Sequence, residues 1–285
     1  METTLDKKYI QSMVRKALEE DIPWGDVTTD ATVRPETQRQ ARIVAREEGV
    51  LAGVDVAREC FLAVNDELRV TAHLADGARV SDGDEVMSLE GSAAGILSAE
   101  RTALNFVQRM SGVATLTARF VEKKGKNRAR ITDTRKTMPG MRRLDKYAVA
   151  VGGGLNHRFS LSDAVLIKDN HLKLQDVQRP IIGAVVKARN VISHTLRVEV
   201  EVETLDELEE ALGAGADIIL LDNMTINEMK RAVERAGDYS ETLLEASGNV
   251  TLDNVAEIAA TGVDIISIGA LTHSAPAVDF SLEML

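Results

Sequence analysis

The feature that most constrains this chain is a rhythm that begins near residue 130. Short apolar runs (RARITDT, DAVLIKD, LRVEVEVE, ADIILLDN, TLLEAS and VDIISIG) are mostly separated by helical stretches such as LDELEEALGAG and TLDNVAEIAATG. Two units rhyme, since LEEALGAGADIILLDN and VAEIAATGVDIISIGA share a helix, a glycine stop and an Asp-Ile-Ile strand. Short strands alternating with helices predict a parallel β/α architecture. Six strands are legible, which falls short of a full eight-fold barrel. Each run also closes on polar groups. Arg135-Lys136 follow the first. Lys168, Asp169, Asn170 and His171 close the second. Glu199, Glu201 and Glu203 share one side of the third by two-residue periodicity. Asp222-Asn223, Ser247-Gly248-Asn249 and Gly269-Ala270 follow the rest. Charged groups at the ends of apolar strands must be solvated, paired or bound to ligand. In a β/α barrel those ends form the active face.

Upstream the chain has a different character. Ile10, Met13, Val14, Ala17 and Leu18 fall at helical spacing, which predicts an amphipathic helix and then a turn at Ile22-Pro23-Trp24-Gly25. Residues 26–97 are strand-rich, with turns expected at Asp76-Gly77, Asp82-Gly83 and Glu90-Gly91. From Leu97 to about Lys123 a helix is expected, with Ser111-Gly112 as an interruption. These shifts predict an α/β fold of two domains. Residues 1–105 form the first, with 275–285 packing back onto it, and residues 106–274 form the barrel.

The formal net charge of −11 disfavours a nucleic-acid partner. Residues 130–173 nevertheless hold nine Lys/Arg and four Asp/Glu, a local +5. His157 and His171 lie inside that cluster. It suits a small polyanion, since arginine pairs carboxylate and phosphate bidentately. Glu201 and Asp222 are candidates for holding a divalent metal or ribose hydroxyls. Glu199 and Glu203 are weaker candidates, one of which could face a basic residue instead. Ser247-Gly248-Asn249 and Gly269-Ala270 follow the last two strands, where barrels often hold phosphate on backbone N–H groups.

Other chemistries lack their signatures. Gly152-Gly153-Gly154 has no Walker lysine and follows no G-x-G-x-x-G pattern, so a flexible supporting loop is expected there. No nucleophile elbow is present, and no His/Cys set has zinc spacing. DGARVSDGDEVMSLEG has the look of a lipoyl module but carries no lysine at its Met87-Ser88 turn. The single cysteine, Cys60, excludes an internal disulfide. No stretch has membrane-spanning length or the h-region of a signal peptide, so a soluble cytoplasmic protein is expected.

Nine strings, in order, resemble the quinolinate phosphoribosyltransferase family: EDIPWGDVTTD, ERTALNFVQRMSG, DTRKTMPGMR, KYAVAVGGGLNHR, LIKDNH, VEVEVE, LLDNM, EASGN and SIGALTHS. They run from residue 20 to residue 274. The resemblance implies an N-terminal α/β sandwich joined to an open, TIM-like β/α barrel. It implies a homodimer, or a larger homo-oligomer of dimers, with shared active sites. The implied reaction joins quinolinate to 5-phosphoribosyl-1-pyrophosphate, with Mg²⁺, giving nicotinate mononucleotide, pyrophosphate and CO₂ in de novo NAD synthesis. It places Arg101 on the neighbouring subunit's quinolinate, and Arg135, His157, Arg158 and Lys168 on the pyridine dicarboxylate. Lys136 and His171 fall near the phosphoribosyl donor, and Glu201 and Asp222 on metal and ribose. Ser247, Gly248, Asn249, Gly269 and Ala270 would hold the 5′-phosphate. The rival expectations are a related transferase with another acceptor and a catalytically silent sugar-phosphate-binding protein.

Overall fold

The computed structural model describes residues 4–285, which divide into two compact units. The first gathers the chain through Ala118 with Met138–Gly153 and Leu271–Leu285, and the second gathers Arg119–Thr137 and Gly154–Ala270. From sequence alone the chain changes domain after residue 105 and again after residue 274; by contact it changes unit four times.

In the first unit, helix α1 (Lys7–Asp21) buries Ile10, Val14 and Leu18 on one stripe, and Asp6 caps it by accepting the Tyr9 N–H. Helix α2 (Val27–Thr32) is capped by Asp26, which accepts the N–H groups of Thr28 and Thr29. Strand β1 (Gln38–Ala45) follows, then β2 (Gly49–Val50), helix α3 (Val54–Val64), β3 (Arg69–Ala72), β4 (Arg79–Val80) and β5 (Glu85–Ser92). The main sheet is antiparallel in the order C-terminal strand (Phe280–Met284), β1, β5, β3. Its register aligns Ile43 with Leu282 on one side and with Met87 on the other. Asp76-Gly77 and Asp82-Gly83 are the expected turns, with left-handed glycines. Glu90-Gly91 is not a turn. It continues β5, and Gly91 leaves space that a Cβ would close to 2.8 Å from Leu68 Cδ2.

Helix α4 (Ala93–Lys123) runs unbroken through Ser111-Gly112. Those two residues serve packing rather than interruption. Ser111 Oγ accepts the Ala52 N–H at 2.9 Å, and a Cβ on Gly112 would lie 2.1 Å from the Pro276 carbonyl oxygen. Helix α5 (Arg142–Val151) also belongs to this unit. Its Asp145 pairs with Arg109 at 3.1 Å, and Tyr147 Oη donates to Asp76 at 2.6 Å. Gly152 ends α5 against helix α4, where a Cβ would come within 2.4 Å of the Ala114 oxygen. The triple glycine therefore opens on a close-packed contact, not on a loose loop.

The second unit is an open β/α barrel of six parallel strands: β6 (Arg130–Thr132), β7 (Val165–Ile167), β8 (Val198–Val202), β9 (Ile218–Asp222), β10 (Leu243–Ser247) and β11 (Ile265–Ser267). Their order is β6-β11-β10-β9-β8-β7, so β6 and β7 are the two edges. All six coincide with the apolar runs of the sequence. Between them lie α6 (Asp169–Leu172), α7 (Pro180–Arg189), α8 (Leu205–Gly213), α9 (Ile226–Arg235) and α10 (Val255–Ala259). Capping boxes start α8, through Thr204 and Glu207, and α9, through Thr225 and Glu228. One face of the sheet is apolar and buried, with Val198, Val200, Val202, Ile219, Leu221, Leu244, Ala246 and Ile266. By the two-residue period, the other carries Glu199, Glu201, Leu220, Asp222, Glu245, Ser247 and Ser267. Among the described residues no helix is long and apolar enough to cross a membrane.

Candidate active site

The polar face of the second unit lines a cavity of about 570 Å³. Residues beyond both edge strands reach it, Thr134–Lys136 after β6 and Lys168 after β7, so the sheet curves around the space it encloses. Parallel strands bring their C-terminal ends to one rim. Ten of the fourteen residues singled out from sequence lie there: Arg135, Lys136, His157, Arg158, Lys168, Glu201, Asp222, Ser247, Gly248 and Asn249. Four do not. Arg101 is exposed on α4 of the first unit. His171 turns its Nδ1 to the Lys168 N–H at 3.0 Å, which caps α6. Gly269 and Ala270, at the turn after β11, do not line the cavity.

Arg135 and Arg158 dominate one wall. The Nε atom of each is buried without a hydrogen-bond partner among the described residues. Burial, and then the neighbouring Arg135 charge, hold Arg158 below the usual arginine range. Arg158 Nη1 donates to the Ala164 carbonyl at 3.0 Å. Two guanidinium groups with buried Nε–H donors on one cavity wall suit an anionic ligand.

Opposite them stand the acids. Glu201 accepts a hydrogen bond from Lys168 Nζ. Asp222 Oδ2 accepts from Asn223 Nδ2 at 2.8 Å, and Asn223 Oδ1 accepts from Asn249 Nδ2 at 3.0 Å. Asn223 and Asn249 both take left-handed backbone, at φ 53° and 51°, and Gly248 between β10 and Asn249 has φ 91°. A Cβ on Gly248 would lie 2.2 Å from Asn223 Oδ1, so glycine is required there. Left-handed backbone at Gly248 and Asn249 turns the chain sharply at the end of β10.

Below this layer lies a cluster that sequence reasoning missed in part. His157 enters through the gap between the edge strands, where Leu155 bridges Thr132 of β6. Its Nε2 is 3.2 Å from Glu199 and 3.5 Å from Glu245, and both acids are 1% exposed. Glu199, from sequence a weaker metal or ribose candidate beside Glu203, is the one that faces a basic group. Glu245 had a signal, a lone acid two residues before Ser247 in an apolar strand, yet received no role. Burial disfavours a charged His157, but Glu199 and Glu245 outweigh it and raise its pKa to about 10. Burial also raises Glu199. The Arg158 N–H, however, donates to His157 Nδ1 at 2.8 Å, which opposes a proton on that nitrogen. That contact favours the ring proton on Nε2, between Glu199 and Glu245.

A cavity that presents adjacent arginines, a carboxylate pair and a glycine-bearing turn on parallel strand ends defines a transferase site for phosphorylated, carboxylated small molecules. Comparison with known proteins gives the same class. The profile for the C-terminal domain of quinolinate phosphoribosyl transferase matches residues 113–283, and that for its N-terminal domain matches residues 26–111. The chain belongs to the quinolinate phosphoribosyl transferase family. It is 44% identical over 282 residues to nicotinate-nucleotide pyrophosphorylase [carboxylating] of Mycobacterium leprae, covering 95% of each chain. It is 40% identical over 265 residues to the probable enzyme of that name from Bacillus subtilis, covering 93% of this chain and 90% of that one. It superposes on the solved nicotinate-nucleotide pyrophosphorylase of Francisella tularensis with a TM-score of 0.93 at 39% identity, covering 99% of this chain and 98% of that one.

Proposed function

We propose that this chain transfers the phosphoribosyl group of 5-phosphoribosyl-1-pyrophosphate to quinolinate and releases nicotinate mononucleotide, pyrophosphate and CO₂, in de novo NAD synthesis. The observation that carries this reading is the Arg135–Arg158 wall. Arg135 and Arg158 each bury an Nε–H donor that has no partner among the described residues, and a pyridine with adjacent carboxylates supplies an acceptor to each. Nicotinate, with one carboxylate, leaves one guanidinium unmet.

In this mechanism Arg135, Arg158 and Lys168 clamp the carboxylates against the wall that contains His157, and the ring nitrogen points at the ribose C1. Glu201 and Asp222 take the ribose hydroxyls and a Mg²⁺ ion. The fit is chemical: two carboxylates plus ligand phosphates are the usual surroundings of that ion. When bound, Mg²⁺ would neutralise charge on the departing pyrophosphate. Lys136 contributes positive charge on the same side. The Ser247-Gly248-Asn249 turn holds the 5′-phosphate, with Gly269 and Ala270 completing it and His171 beside the donor. Once the ring nitrogen carries the ribosyl group, its positive charge stabilises the electron pair that departing CO₂ leaves on C2, and a proton from water completes the product, so no acid–base dyad is needed.

We further propose a homodimer, or a larger assembly of dimers, in which Arg101 serves the partner's site. Its exposure on α4 and an uncovered Trp24, 95% exposed, support that reading. A cytoplasmic location suits the lone buried thiol of Cys60, which burial pushes up to about 12.

The deciding experiment incubates purified protein with quinolinate labelled in its 2-carboxylate. Labelled CO₂ should appear only when 5-phosphoribosyl-1-pyrophosphate and Mg²⁺ are both present. No release under those conditions sinks the proposal, and equal use of nicotinate would transfer it to a different acceptor.

A further inference from the structure

Two buried acids remain without a part in this chemistry. Glu199 and Glu245 sit on neighbouring sides of the barrel interior, at strand positions whose inward neighbours Ile218, Leu220 and Ile265 are apolar. Packing there would be better served by hydrocarbon, because a buried carboxylate loses its hydration. Both acids converge on one atom, His157 Nε2.

The other side of that ring is committed as well. His157 Nδ1 accepts the Arg158 N–H at 2.8 Å, and the His157 N–H donates to Asp133 at 2.8 Å. Both ring nitrogens are thus engaged by the protein, and the backbone is held on both sides of His157, at its own N–H and at that of Arg158. The next group along is the Arg158 guanidinium, with its buried unsatisfied Nε.

His157, Glu199 and Glu245 could also be read as a metal triad, since their ligating atoms lie within 4.8 Å of one another. The tautomer rejects this. A cation would take the Nε2 lone pair and leave the ring proton on Nδ1, where the Arg158 N–H already points.

We propose that Glu199 and Glu245 are positioning residues of the acceptor site. They accept the Nε2 proton of His157, set the ring so that Nδ1 holds the Arg158 amide, and thereby aim the Arg158 guanidinium at an aromatic dicarboxylate. This rests on the acceptor site proposed above. His157 then acts through Arg158 instead of donating to the substrate itself.

Glu199→Gln and Glu245→Gln test it, with steady-state kinetics for both substrates and thermal unfolding. Each variant should raise KM for quinolinate about tenfold or more. KM for the phosphoribosyl donor should stay within about twofold, and the unfolding midpoint should not fall. Unchanged quinolinate KM would overturn the proposal, as would parallel loss for both substrates with a lowered midpoint. A second measurement needs no variant to fold. Nitrogen-15 shifts of the His157 ring in the wild-type protein should report a proton on Nε2 and a lone pair on Nδ1. The opposite tautomer, or a stoichiometric metal lost on Glu199→Gln, would also overturn it. Inert wild-type protein would instead defeat the underlying transferase reading, so the two failures are distinct.

Discussion

Single residues set the chemistry of this site by what they leave unsatisfied. Arg135→Ala should cost about 2–5 kcal/mol of quinolinate binding, because it strands a desolvated carboxylate; the change in kcat/KM for quinolinate measures it. Gly248→Ala places a Cβ against Asn223 and in a left-handed backbone. It should raise KM for the phosphoribosyl donor more than for quinolinate, read from the two saturation curves. A third expectation concerns pH. Hydrogen bonds from the side chain and backbone of Thr29 lower the Asp26 pKa, helped by Ser98 and Thr28. Its folded value lies below the unfolded one, so the stabilisation is complete above the ordinary carboxylate range and is lost as pH falls through the lowered value. Asp26→Asn keeps a capping acceptor and removes the titration, so acid unfolding curves of that variant should lose this component. Most of the rim residues were legible because polar groups ending apolar strands are conspicuous. The layer beneath was not, because tautomer, depth and the approach of Glu199 and Glu245 to one imidazole depend on how far the sheet curves.

At the scale of elements, strand and helix positions followed from periodicity and caps. Thr-x-x-Glu before α8 and α9 is readable without coordinates. What misled was glycine. Ser111-Gly112, Glu90-Gly91 and Gly152 look like punctuation, yet each marks a close approach of a distant segment, and only tertiary structure supplies the neighbour. Gly112→Ala should therefore destabilise the first unit by roughly 1–3 kcal/mol through overpacking against Pro276, more than an average helix would gain from the better propensity of alanine. Denaturant unfolding of the variant reads that difference.

At the scale of the molecule, a sequence boundary after residue 105 misses that residues 138–153 belong with the first unit. The cause is sequence-distant pairing, Asp145 with Arg109 and Tyr147 with Asp76, which no local pattern announces. The proposed sharing of sites between subunits has a test at this scale too. Arg101→Ala and Lys136→Ala proteins, each inactive alone, should regain roughly a quarter of wild-type activity when unfolded, mixed and reassembled, since random pairing leaves half the dimers mixed with one intact site each. No recovery would confine each site to its own chain.

The position of the C-terminal strand also bears on how the molecule is made. Phe280–Met284 hydrogen-bonds along β1, whose residues leave the ribosome some 240 positions earlier. Until Phe280–Met284 emerge, β1 presents a bare edge of the kind that invites pairing with another chain. The second unit lies wholly between those two partners in sequence and can mature first. A nascent chain stalled before Phe280 should therefore be the species most dependent on chaperones, and loss of the last six residues should harm yield more than it harms the chemistry of the barrel.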